Sequence, residues 1–112
     1  MNNCIFCKII NGEIPTDFLL KTKNIIVFKD INPKAPIHYL IVPKIHIKSL
    51  NKAKSSDKAF LGELLLIPQK IAKKLKIKDY KIIINTGSNA GQSVDHLHLH
   101  FLAQDFKKSG QV

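Results

Sequence analysis

Arginine is missing from this 112-residue chain, and lysine supplies all 18 of its basic residues. Arginine is the side chain that reads phosphate and guanine bidentately, so its absence weakens a nucleic-acid role for the formal charge of +10. The lysines scatter along the whole length, with modest clustering from Lys70 to Lys81. This is the pattern of a solvated basic surface, which still attracts anionic substrates. Long apolar runs are missing too. Leu64–Pro68 is typical of the longest, far short of the roughly 20 residues that cross a bilayer, which excludes a membrane-embedded chain. Met1–Ile10 shows no basic region followed by an apolar stretch and a small-residue cleavage site, so a cytoplasmic protein is expected. There are only two cysteines, and in a cytoplasmic chain they are not expected to form a structural disulfide.

What is present is ordinary for a globular protein: 45% apolar and 23% charged residues, which excludes a disordered tail or a collagenous fibre. The length allows one core, and a single domain over residues 1–112 is expected. Cys4–Gly12 reads as a short helical turn stopped by Gly12. Phe18–Thr22 and Ile25–Lys29 read as strands around a Lys23-Asn24 turn. Asp30–Pro36 is a loop restricted by two prolines, and Ile37–Pro43 is a strand apolar enough to be central. One long helix should begin near Ser55-Ser56-Asp57. Its apolar face carries Phe60, Leu61, Leu64, Leu65, Ile71, Ala72 and Leu75. Pro68 interrupts that pattern and predicts a kink or a break. Tyr80–Asn85 reads as a buried strand, Thr86–Ser93 as a glycine-bearing loop, and Val94–Leu102 as the last strand. The class is α+β: an antiparallel five-stranded sheet with one long and one short helix.

The segment His96-Leu97-His98-Leu99-His100-Phe101 carries the chemistry. Strand side chains alternate, so the three histidines share one face and Leu97, Leu99 and Phe101 share the other, in the core. Imidazole is the side chain best suited to proton transfer, nucleophilic attack and metal ligation near neutral pH. Two readings compete: a zinc face, or a nucleophilic histidine oriented by its neighbours. The preceding loop, Thr86–Ser93, favours the second. Its glycines let backbone N–H groups turn toward an anion. It is not a P-loop, because no lysine follows the second glycine and a strand comes next.

The His-x-His-x-His row resembles the histidine triad family. The likeness extends to CIFCKIINGEIP (4–15), DINPKAPIH (30–38), PKIH (43–46) and Asn85–Leu102, and it is similar to the Hint branch. It implies a homodimer in which two half-sheets join into one, and hydrolysis of nucleoside phosphoramidates to a nucleoside monophosphate, a purine one, and an amine. By resemblance, His98 is the nucleophile, and His96 and His100 hold it or the phosphate. Ser93 touches the phosphate or leaving group, with Asn85, Gly91 and Gln92 beside it. Asp30 binds the ribose hydroxyls, and Phe6, Ile9, Ile14, Phe28 and Ile31 form the base pocket. His38 resembles a buried histidine that supports the site. The chemistry needs no cofactor: backbone N–H groups and imidazoles meet the phosphoryl charge.

Cys4-x-x-Cys7 is not set in a thioredoxin-like unit. A zinc site needs two further ligands, and His46 and His96 are left for it. Some bacterial-type family members resemble this, so a structural zinc on Cys4, Cys7, His46 and His96 is expected; the alternative is two small buried hydrophobes. Asp95 stands where the Hint branch often has an aromatic residue. Ala103–Val112 lacks the aromatic-proline tail that helps some members select the leaving group. The rival functions are a dinucleoside polyphosphate hydrolase and a nucleotide- or zinc-binding regulator without catalysis. Asp30, Asn85, His38 and His46 each have plainer readings as turn, strand-end or core residues.

Overall fold

The structure, a computed structural model, describes residues 3–104. The rest of the polar C-terminal end lies outside them. In chain order the elements are α1 (Ile5–Ile10), β1 (Leu20–Lys21), β2 (Ile25–Lys29), β3 (Ile37–Pro43), α2 (Lys58–Leu75), β4 (Tyr80–Ile83) and β5 (Leu99–Ala103). The strands form one antiparallel sheet in the order β1-β2-β3-β5-β4, which places β3 at the centre.

Alternation along the strands sorts the apolar residues into two layers. Ile25, Val27, Tyr39, Ile41, Leu99 and Phe101 pack against Leu64, Ile67, Ile71 and Ala72 of α2. The residues between them, Ile26, Phe28, Leu40 and Val42, pack on Phe6 and Ile9 of α1. A period of two therefore gives the sheet two buried faces. His38 and His100 share the α1 face with Leu40, because the register pairs His38 with Leu102 and Leu40 with His100.

Helix α2 follows a single 3₁₀ turn, Ser55–Asp57. Asp57 Oδ2 accepts from the backbone N–H of Lys54 at 2.8 Å, satisfying one donor at the helix entrance. The helix runs unbroken through Pro68. The proline ring is buried with the apolar face, and its packing offsets the one missing hydrogen bond. Leu65 is not on that face: it is 56% exposed, and Ile67 takes the core position instead.

Three strands differ from their sequence-based bounds. The first shrinks from Phe18–Thr22 to Leu20–Lys21, because Thr22 Oγ1 accepts the N–H groups of Asn24 and Ile25 and starts the turn early. Tyr80–Asn85 narrows to Tyr80–Ile83 and is an edge strand, only partly buried. The last strand begins at Leu99 rather than Val94. The N–H of Leu97 goes to Ile47 O at 2.6 Å and that of His96 to Val94 O at 2.8 Å, which takes both out of the ladder. Among the described residues, no helix is long and apolar enough to cross a membrane.

Candidate active site

His96 ends the bend Val94–His96, His98 stands immediately before β5, and His100 lies within it. Alternation survives the missing ladder bonds. Leu97, Leu99 and Phe101 enter the α2 layer, while the imidazoles line up on the α1 side, with 5.0 Å between the ring centroids of His98 and His100. Phe6 of α1 meets His96 and His98 edge-on, at 5.7 and 5.1 Å. The row is not a solvated outer face, since His96 is 0% and His98 3% exposed. Burial lowers the pKa of both below the usual histidine value; the backbone acceptors Pro43 O and His96 O oppose it. They are neutral near pH 7, so each ring has one N–H and one lone pair.

The partners determine which nitrogen is which. His98 Nδ1 lies 2.7 Å from His96 O. A carbonyl only accepts, so Nδ1 carries the proton and Nε2 the lone pair. His96 Nε2 lies 2.8 Å from Pro43 O, so its lone pair is on Nδ1. His38 Nδ1 accepts from the Lys34 backbone N–H at 2.9 Å. Its proton therefore sits on Nε2, 2.9 Å from His100 Nδ1 and 3.3 Å from Asp30 Oδ2. His100 Nδ1 must accept, which leaves Nε2–H as its donor. His100 is held down to about 4, by burial first and then by His98 and His38, with Asp30 opposing.

Asp30, His38 and His100 bring three ligand-type atoms together. The Lys34 N–H keeps the proton on the inward nitrogen of His38, so the trio is a hydrogen-bond relay and not a metal cage. Asp30 also fulfils the plainer reading: its Oδ1 accepts from Asn32 N–H at 2.9 Å and closes a turn.

A second cluster does suit a metal. One ligand atom each from Cys4, Cys7, His46 and His96 gathers within 4.8 Å. His96 Nδ1 lies 3.4 Å from Cys4 Sγ and 3.6 Å from Cys7 Sγ, and His46 Nδ1 lies 3.2 Å from Cys7 Sγ. Tetrahedral zinc with ordinary bond lengths would set S···N separations of about 3.6 Å. Burial, reinforced by Cys4, pushes the Cys7 thiol up to about 11; a cation would draw off that proton. The converging atoms are two sulfurs and two ring nitrogens, which is a zinc donor set and not an apolar packing contact.

The loop before the row turns at Gly87 and Gly91, with φ of +91° and +94°, where a side chain would be strained. Gln92 braces it from inside: Oε1 accepts from Gly87 N–H at 2.8 Å, and Nε2 donates to Lys48 O at 2.8 Å and Val94 O at 3.0 Å. Asn85 Nδ2 donates to Ala90 O at 2.8 Å. Ser93 is exposed and lines a cavity of about 450 Å³ together with Cys4, Ile5, His46, Lys48 and Asp95.

The family model described as "Scavenger mRNA decapping enzyme C-term binding" matches residues 3–112. The chain is 45% identical over 103 residues to Protein HitA of Neisseria gonorrhoeae, covering 91% of this chain and 96% of that protein. The chain belongs to the histidine triad family. Solved structures agree. A HIT family hydrolase from Legionella pneumophila is 41% identical with a TM-score of 0.88, covering 92% of this chain and 94% of that one. A HIT family hydrolase from Clostridium thermocellum is 39% identical with a TM-score of 0.92, covering 100% and 97%.

Against this histidine triad framework, the site residues expected from sequence divide into three groups. His38, His98, His100 and Asp30 come together, as do Cys4, Cys7, His46 and His96. Phe6, Ile9 and Phe28 are buried side by side with Ile14 packed on them, whereas Ile31 is 87% exposed and stands outside that cluster. Gln92 does not offer its amide to a nucleotide, because the amide is taken up within the protein. His96 likewise has both ring nitrogens engaged, and it holds His98 through its carbonyl. Sequence reasoning did not find the Lys34 N–H or the Pro43 carbonyl. Backbone groups leave no residue-type signal.

Proposed function

We propose that this protein is a nucleotide hydrolase that cleaves nucleoside 5′-phosphoramidates, purine ones by resemblance, through a nucleotidyl-histidine on His98. One observation carries the reading: the bond from His98 Nδ1 to His96 O leaves Nε2 as a buried, unprotonated nucleophile. That nitrogen attacks phosphorus as the P–N bond breaks, and the departing amine takes a proton from the Ser93 hydroxyl, which is exposed and regains one from solvent. His100 Nε2–H faces the charge on the phosphoryl oxygens; the loop contributes shape rather than most of its donors, since the N–H groups of Gly87, Ala90, Gly91 and Gln92 are bonded within it. Water then attacks the nucleotidyl-histidine, releasing the monophosphate and restoring His98. Asp30 accepts from the ribose hydroxyls. The hydrolase names of the solved relatives accord with this.

Cys4, Cys7, His46 and His96 would hold zinc. Zinc would supply a structural cross-link between α1 and the loops after β3 and before β5, and no reacting atom. The protein would work as a homodimer joined at β4, whose outer edge has no neighbour among the described strands.

The test is release of AMP from adenosine 5′-phosphoramidate by the parent protein and by His98→Ala. Turnover by the parent and none by the folded variant is expected. Substantial residual turnover in His98→Ala would overturn the assignment. Cleavage of a dinucleoside polyphosphate instead would move the function to that substrate class.

A further inference from the structure

We propose that the cysteine–histidine cluster governs the nucleophile: zinc on Cys4, Cys7, His46 and His96 sets the geometry of His98, so metal occupancy controls turnover. The proposal rests on the reading of His98 given above and adds the regulation of that site.

One residue belongs to both constellations. The ring of His96 is fully buried and anchored at two points. Nε2–H donates to Pro43 O at 2.8 Å, and Nδ1 faces Cys4 Sγ and Cys7 Sγ at 3.4 and 3.6 Å. Its main-chain carbonyl is the 2.7 Å acceptor that keeps the proton of His98 on Nδ1. Only the side-chain stem separates the metal-ligating ring from the carbonyl that selects the nucleophile's tautomer. Without a cation, the Nδ1 anchor is a thiol, a weak donor. With one, it is a coordinate bond in a four-ligand cage. A His98 that loses its carbonyl partner can carry its proton on Nε2 instead, and a protonated Nε2 cannot attack phosphorus.

A second contact runs the same way. Cys4 and Cys7 flank Phe6 on α1, and the Phe6 ring sits edge-on against His98, 5.1 Å between centroids. Tying α1 to His46 and His96 holds that ring against the nucleophile. Cys4 and His46 line a cavity on one side of the cluster, while Cys7 and His96 are buried behind them.

The test compares zinc-loaded protein with protein stripped by a chelator. Three quantities are read: turnover of adenosine 5′-phosphoramidate, AMP affinity, and the ¹⁵N resonances of the His98 ring. On zinc removal kcat should fall roughly tenfold to a hundredfold, the scale of a displaced reacting group. AMP affinity should change far less than kcat, His98 should change from one tautomer to a mixture, and added zinc should reverse all of it. A folded, zinc-free protein with unchanged kcat and a single His98 tautomer would overturn the proposal, as would failure to bind zinc at all. If stripping unfolds the chain, Cys4→Val/Cys7→Val fills the space with apolar groups. It should show the low kcat regardless of zinc, and parent-like kcat in it overturns the proposal equally. If the loaded protein cleaves no phosphoramidate, the functional reading fails, and the tautomer comparison alone decides the coupling.

Discussion

His38 donates from Nε2 to His100 Nδ1 across 2.9 Å, and the Lys34 backbone N–H sets the direction of that bond. Only one proton placement satisfies both contacts. His38 is thus a positioning residue: it presents His100 as an Nε2–H donor.

Replacing it should therefore slow the chemistry without preventing nucleotide binding. His38→Ala is expected to lower kcat by roughly tenfold or more, the loss of one oriented polar group, with AMP affinity changed much less. His38→Gln, whose amide can donate to His100, should recover part of the loss. Steady-state kinetics on the three proteins check this.

Acid should destabilise the fold through the same pair. An unfolded histidine titrates near its ordinary value of about 6.5, while folded His100 resists protonation down to about 4. Between those values the unfolded chain binds more protons, so stability falls as pH drops through the window and is fully present above it. His38, also lowered by burial, acts in the same direction. Urea midpoints at pH 7.5 and 4.5 should differ, and His100→Asn should reduce the difference.

Gln92 should behave as a brace. Gln92→Leu leaves the Gly87 N–H and two carbonyls without their partner, at about 1–3 kcal/mol for each group that water does not reach. Gln92→Glu can still accept from Gly87 but cannot donate to Lys48 O and Val94 O. Both variants are expected to lower the denaturation midpoint. A variant as stable as the parent would remove the brace from the account of the loop.

The proposed homodimer should depend on the β4 edge. Ile83 is 37% exposed on it, and Leu65 and Leu66 are exposed at 56% and 55% on α2. Ile83→Lys is expected to give a monomer of parent-like secondary structure. Light scattering after size exclusion would show it, and an unchanged mass would place the interface elsewhere.

Much of this was readable from residue types and spacing. Alternation in Leu97–Phe101 assigned the histidines to one face, because a period of two follows from strand geometry alone. Helical spacing located α2, and two cysteines with two spare histidines named the four side chains whose ligand-type atoms gather beside α1. The apolar count did not tell Leu65 from Ile67, since both are equally hydrophobic and only the packed sheet distinguishes their sides of the helix. The sequence pattern also made residues 94–98 a strand, where Ile47 O and Val94 O draw their N–H groups out of the ladder.

By itself, then, the chain determined its class, its chemistry-bearing residues and the order in which they meet the sheet. Tertiary structure alone decided the protonation pattern. Which nitrogen of His38, His96, His98 and His100 holds its proton depends on Lys34 N–H, Pro43 O and His96 O. These are backbone groups, identical in kind at every position, and only folding brings them within hydrogen-bond range of a ring.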